Sequence, residues 1–195
     1  HRRINPMRND DGARERLIEL LREHSLVLGD VTLSSGKRTT YYIDARRTVM
    51  RPEGQRAAGE LIARHASATG ATAVGGPVMA AIPLACAAIS VPEGRDLVGC
   101  FVRKERKEHG LQRWVEGGAQ PGDRVLVVED TVTTGGSTVS AIERIRDEGF
   151  EIAGVLSLVD RLAGGGDAIA AAAGAPYEAL TTIDDIYPDR PDREG

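Results

Sequence analysis

The 195-residue chain has little sulfur, few aromatic rings, no surplus of positive charge and no long apolar run, and each shortage removes a class of function. Its two cysteines, Cys86 and Cys100, are too few for a disulfide framework. Both fall in apolar stretches, so they read as reduced, buried thiols of a cytoplasmic protein. Aromatic residues make up 4% of the chain, with a single tryptophan, which leaves few platforms for stacked bases. Lysine and arginine number 25 against 29 acids, a net charge of −4 that offers no basic face to nucleic acid. No apolar segment approaches the roughly 20 residues that span a bilayer, and no secretory pattern opens the chain. Residues 1–6, ahead of Met7, are set aside as an added or unstructured extension. No His/Cys cluster has metal-ligand spacing, and His24 and His65, set among charges on helical segments, read as solvated.

What is present is an ordinary globular composition, 41% hydrophobic and 28% charged, patterned as strands alternating with helices. Helical spacing over residues 11–24 predicts an amphipathic first helix. Short strands at 31–33 and 41–43 flank the turn 34–37. A helix over 52–68 has Pro52 in its first turn and Gly70 beyond its end. Buried strands follow at 71–74, 97–102, 125–128 and 152–159, with helices up to Ile89 and over 137–148. Gly164-Gly165-Gly166 precedes a short Ala-rich helix, residues 180–183 form a last strand or helical turn, and the tail after Tyr187 frays. This alternation implies an α/β fold, a mainly parallel twisted sheet flanked by helices. It is a single domain, with an N-terminal hood over about 11–45 and a core over about 52–183.

The most informative segment is Val125-Leu126-Val127-Val128-Glu129-Asp130-Thr131-Val132-Thr133-Thr134-Gly135-Gly136-Ser137-Thr138. An apolar strand ends in two acids, then a Thr/Gly turn, then a helix. In open α/β sheets ligands bind beyond the carboxyl ends of the strands. The turn's backbone N–H groups, with a helix N-terminus behind them, suit one phosphate. Carboxylates beside a phosphate need another task, such as accepting hydrogen bonds from sugar hydroxyls, and a phosphorylated ribose meets both demands.

These residues resemble the phosphoribosyl pyrophosphate (PRPP) signature of the type I phosphoribosyltransferases. The resemblance implies that fold, with Glu129 and Asp130 on the ribose 2- and 3-hydroxyls. Thr131, Val132, Thr133, Thr134, Gly135, Gly136 and Ser137 would hold the 5-phosphate. Magnesium is implied only through PRPP, since Mg²⁺ prefers substrate phosphates and waters to an all-protein cage.

Arg103-Lys104-Glu105-Arg106-Lys107-Glu108-His109-Gly110 places four fixed positive charges and a histidine directly after a strand. A charge run is ordinarily a solvated loop. This one is long for a compact α/β domain and reads as a lid. Its cations would balance the charge of a leaving pyrophosphate, and its closure would exclude water from a reactive sugar centre. The pattern is similar to the catalytic loop of orotate phosphoribosyltransferases. That implies pyrophosphate contacts from Arg103, Lys104, Lys107 and His109, with Lys107 the principal catalytic cation. It also implies a homodimer in which the loop reaches the other subunit's site.

Three further segments agree with that family. In Ser34-Ser35-Gly36-Lys37-Arg38-Thr39-Thr40-Tyr41-Tyr42-Ile43-Asp44, the paired tyrosines would supply a flat wall for orotate. Arg161, at the end of the strand 152–159, would read orotate with its bidentate fork, and Thr133 would share in that contact. The loop beginning Gly75-Gly76-Pro77 resembles the family's pyrophosphate loop, although Ala80 stands where many members carry lysine. The activity implied is transfer of the phosphoribosyl group from PRPP to orotate, with orotidine 5-monophosphate and pyrophosphate as products. Two alternatives stay open: a transferase for another nucleobase, and a PRPP-sensing transcription regulator that keeps the fold without the reaction.

Overall fold

The computed structural model describes residues 11–32, 36, 38–105 and 113–193. Helix α1 (Asp11–His24) precedes a hairpin of β1 (Leu26–Thr32) and β2 (Arg38–Ile43), and a single helical turn, α2 (Arg46–Val49), leads into α3 (Pro52–Thr69). Then come β3 (Ala73–Pro77), α4 (Ala81–Ile89), β4 (Val98–Val102) and the short β5 (Val115–Gly117). The second half runs β6 (Arg124–Val132), α5 (Gly136–Asp147), β7 (Glu151–Asp160), α6 (Gly165–Ala173), β8 (Tyr177–Thr182) and α7 (Ile183–Ile186).

The main sheet has the order β5-β4-β3-β6-β7-β8. All neighbours are parallel except β4 and β5, which pair antiparallel. β6 forms the middle of the sheet because its run Val125–Val128 is apolar on both faces. Leu126 and Val128 pack into one cluster with Leu17, Leu21, Ile62 and Leu84, on the side of α1, α3 and α4. Val125 and Val127 pack into the other with Ile142, Ile145 and Ile169, on the side of α5 and α6. A strand whose alternate side chains meet helices on both faces cannot carry the polar alternation of a half-exposed strand.

This strand order places a functional site. The chain leaves β3 toward β4 on one side and leaves β6 toward β7 on the other, so the order reverses between β3 and β6, where a crevice opens beyond their carboxyl ends. Gly76 lets the strands close up there: a Cβ at this position would lie 2.1 Å from the Val128 carbonyl oxygen.

Several expectations are corrected. The hairpin strands are longer than 31–33 and 41–43, because β1 begins at Leu26 and pairs Leu26 with Ile43 and Val27 with Tyr42. β5 lies inside a stretch without periodicity, held as an edge strand by Val102–Val115 pairing. The last element is both a strand and a helical turn, β8 followed by α7. Cys86 is exposed and only Cys100 is buried, since a nine-residue apolar helix still turns one stripe outward. His65 is not solvated: its side chain is 10% exposed beside Glu178 at 4.0 Å, and burial pulls its pKa down. Residues 188–193 fold back onto the β1–β2 hairpin, where Tyr41 donates to Asp192. Among the described residues, no helix is long and apolar enough to cross a membrane.

Candidate active site

β6 carries Glu129 and Asp130 to the mouth of the crevice. Glu129 is 5% exposed. Its carboxylate accepts hydrogen bonds from the Ser137 and Thr138 hydroxyls, both at 3.0 Å. Burial, and then the neighbouring Asp130 charge, push its pKa up to about 7 despite those two donors. Asp130 is likewise raised by burial, against the pull of the Thr131 N–H and of Arg46. The Thr131 N–H donates to Asp130 Oδ1 at 2.6 Å, while the Thr131 hydroxyl oxygen is buried with no partner.

Beyond the acids the chain turns sharply into α5. Gly135 stands before the helix with φ of 79° and no side chain caps the first turn, so the leading N–H groups remain available to an anion. Glycine is required there twice over, because the backbone is left-handed and a Cβ would lie 2.8 Å from the Gly165 carbonyl oxygen. The Gly165 N–H donates to the Thr133 carbonyl at 3.1 Å, so the loop after β7 buttresses the turn 131–137. Val132 packs inward at 1% exposure. Ser137 is turned toward Glu129, whereas Thr134 and Gly136 lie at the exposed surface of the turn.

Two cavities meet at this place and share Thr133 and Arg161. One, of about 380 Å³, is lined by Asp130, Thr131, Thr133, Lys104, Arg46 and Tyr42, with Met79 and Ala80 from the loop after β3. The other, of about 650 Å³, is lined by Tyr41, Arg161, Thr133 and Arg38 and by Arg190 and Asp192 of the C-terminal segment. Successive strand residues face opposite ways, so the tyrosine pair is divided: Tyr42 borders the acid cavity and Tyr41 the second one. Arg161 lies 5.3 Å over the Tyr41 ring and its Nη2 donates to the Tyr41 hydroxyl at 3.3 Å. A third opening, lined by Arg113, Glu116, Glu148 and Phe150, contains neither acid and no residue of the turn 131–137.

Most of the residues picked out by sequence therefore converge: Glu129, Asp130, the turn 131–137, Tyr41, Tyr42, Arg161 and Lys104. Arg103 does not face the crevice and instead pairs with Glu116 at 2.8 Å. Lys107 and His109 lie outside the described residues. Sequence reading missed Arg46, which pairs with Asp44 at 2.8 Å and borders the acid cavity. It also missed Arg190 and Asp192. Arg46 had a signal, two residues beyond Asp44 in a segment already singled out; the tail residues had none beyond charge.

A magnesium ion that keeps substrate oxygens and waters needs no more than one or two carboxylates. Asp130, on the cavity wall, fits that need. No group of three or more His, Cys, Asp or Glu able to hold a metal occurs among the described residues.

Comparison with known proteins gives this geometry a family. The family model of the phosphoribosyl transferase domain matches residues 51–172. The orotate phosphoribosyltransferase of Corynebacterium glutamicum (strain R) is 45% identical over 174 residues, covering 89% of this chain and 94% of its own. That of Sorangium cellulosum (strain So ce56) is 44% identical over 183 residues, covering 91% and 95%. Among solved structures, Mycobacterium tuberculosis H37Rv orotate phosphoribosyltransferase in complex with Fe(III) dicitrate superposes with a TM-score of 0.82 at 40% identity, covering 90% of this chain and 99% of that one. The same enzyme in complex with PRPP gives 0.77 at 37% identity, covering 89% and 98%. The chain is a member of the phosphoribosyltransferase family, within its orotate phosphoribosyltransferases.

Proposed function

We propose that this enzyme transfers the 5-phosphoribosyl group of PRPP to orotate, giving orotidine 5-monophosphate and pyrophosphate for pyrimidine biosynthesis. The observation that carries the reading is the acid pair Glu129–Asp130 set directly before the uncapped N-terminus of α5. The carboxylates accept the ribose hydroxyls, and the turn from Thr131 to Ser137 donates backbone N–H groups to the 5-phosphate. Thr133 and Arg161, common to both cavities, stand where the sugar and the base must meet.

In the reaction the C1–O bond of PRPP breaks, pyrophosphate departs with the electron pair, and orotate N1 bonds to C1. Orotate N1 is acidic enough to arrive as an anion, so no dedicated protein base is needed. The chain supplies orientation and charge balance. Lys104 stands at the crevice for the diphosphate. Lys107 and His109 act from the charged loop, with Lys107 as the main cation. Tyr41 and Tyr42 flank the base and Arg161 reads its carboxylate. Asp130 is the carboxylate that would hold a magnesium ion brought in with PRPP, which would supply charge neutralisation to the diphosphate. The working form is a homodimer whose charged loops serve the partner's crevice, and the reaction belongs in the cytoplasm.

Incubation with orotate, PRPP and Mg²⁺ tests this through the loss of orotate absorbance. Consumption of a purine base in place of orotate would make the enzyme a different nucleobase transferase. PRPP binding with no turnover of any base, together with DNA binding at physiological salt, would make it a regulator.

A further inference from the structure

The segment after α7 returns to the site and places a carboxylate in it. α7 is anchored first: Thr182 and Asp185 form a reciprocal capping box, and Arg14 of α1 pairs with Asp185 at 2.7 Å. From there Arg190, whose side chain is 11% exposed, pairs with Asp184 and, at 3.2 Å, with Asp192. Asp192 accepts the Tyr41 hydroxyl at 2.9 and 3.1 Å on its two oxygens. Arg161 Nη2 donates to that same hydroxyl from behind.

A guanidinium backing a phenol whose O–H is aimed outward is a receptor for a carboxylate. Burial, against the pull of Arg161, raises the Tyr41 pKa, so the ring keeps its proton and remains a donor. Orotate is a planar base bearing one carboxylate, and the seat its carboxylate would take at Tyr41 and Arg161 already holds the carboxylate of Asp192. The Asp192 side chain is 60% exposed, so its hold is that of a surface contact which a competing ligand can displace.

We infer that Asp192 is an internal competitor for the base subsite: orotate must displace the Asp192 carboxylate from Tyr41, and this residue thereby sets the affinity for the base. The inference rests on the assignment of the base to Tyr41 and Arg161.

Steady-state kinetics on the full chain separate the two. Asp192→Asn and Asp192→Ala are expected to lower the KM for orotate by about threefold to tenfold while moving the KM for PRPP by less than about twofold. Arg161→Ala is expected to raise the orotate KM by about tenfold or more. An unchanged or raised orotate KM in both Asp192 variants, alongside the expected rise in Arg161→Ala, overturns the competitor and leaves the base site standing. No effect of Arg161→Ala on orotate would instead remove the base assignment itself. Arg190→Ala supplies an independent arm: untethering Asp192 is expected to lower the orotate KM in the same direction, and a rise would count against the inference.

Discussion

At the scale of single residues, Glu129 is both the most informative and the most heavily constrained. Its pKa in the fold is about 7 against an ordinary 4.5. A group whose folded pKa is raised binds its proton more tightly in the native state. The stabilisation is therefore full below pH 4.5 and is lost as pH rises toward 7, amounting to about 3 kcal/mol at most. Glu129→Gln is neutral at every pH, so it should resemble the native chain at pH 5 and exceed it in Tm at pH 8. Thermal unfolding of both proteins across that range tests this, and parallel curves would refute the burial argument. The same variant should bind PRPP weakly, since an amide accepts ribose hydroxyls less well than a carboxylate. Glu129 and Asp130 were legible in the sequence because two adjacent acids after a buried strand are expensive to bury without a task. The contact between Tyr41 and Arg161 spans 120 positions of chain, and no local pattern announces it.

At the scale of elements, α5 links two parts of the site. Its N-terminus follows the turn after the acid pair. Its other end grips the two chain stretches that flank residues 106–112. Arg144 donates to the Arg103 carbonyl at 2.7 Å and its guanidinium lies 4.1 Å from the centre of the Trp114 ring. Glu148, one turn on, accepts the backbone N–H groups of Trp114 and Val115. Residues four apart share a helix face, so these two act together and fix the base from which Lys104 reaches the crevice. Arg144→Ala and Glu148→Ala should each lower kcat by about tenfold, with the KM for PRPP changed by less than about threefold. Arg144→Lys should recover part of the loss through its charge but not the planar stacking. A native kcat in both alanine variants would show that the grip is merely structural. The buried strands were legible from their β-branched runs, and α3 from its Pro52 start and Gly70 end. β5 was not, because a three-residue edge strand is defined by its neighbour β4 and not by its own periodicity.

At the scale of the whole molecule, the parallel sheet and its crevice follow from the alternation of elements, whereas the closing of that crevice depends on parts remote in sequence. The hood hairpin, the loop after β7 and the C-terminal segment all meet at Tyr41, and the last of these was read as a fraying tail because its Asp/Arg/Pro composition carries no periodicity. Assembly is remote in the same sense. If the charged loop of one subunit completes the crevice of its partner, damage to loop and crevice must complement. A Lys107→Ala subunit keeps an intact acid pair, and an Asp130→Asn subunit keeps an intact loop. Each homodimer has two defective sites, but the mixed dimer has one site in which both parts are sound. Random exchange of equal amounts makes half the dimers mixed, so activity should rise from near zero to about a quarter of the native value. A loop that serves its own subunit leaves every site with a defect in all three dimers. Activity that stays at the level of the separate variants after denaturation and joint refolding would therefore place the loop in cis.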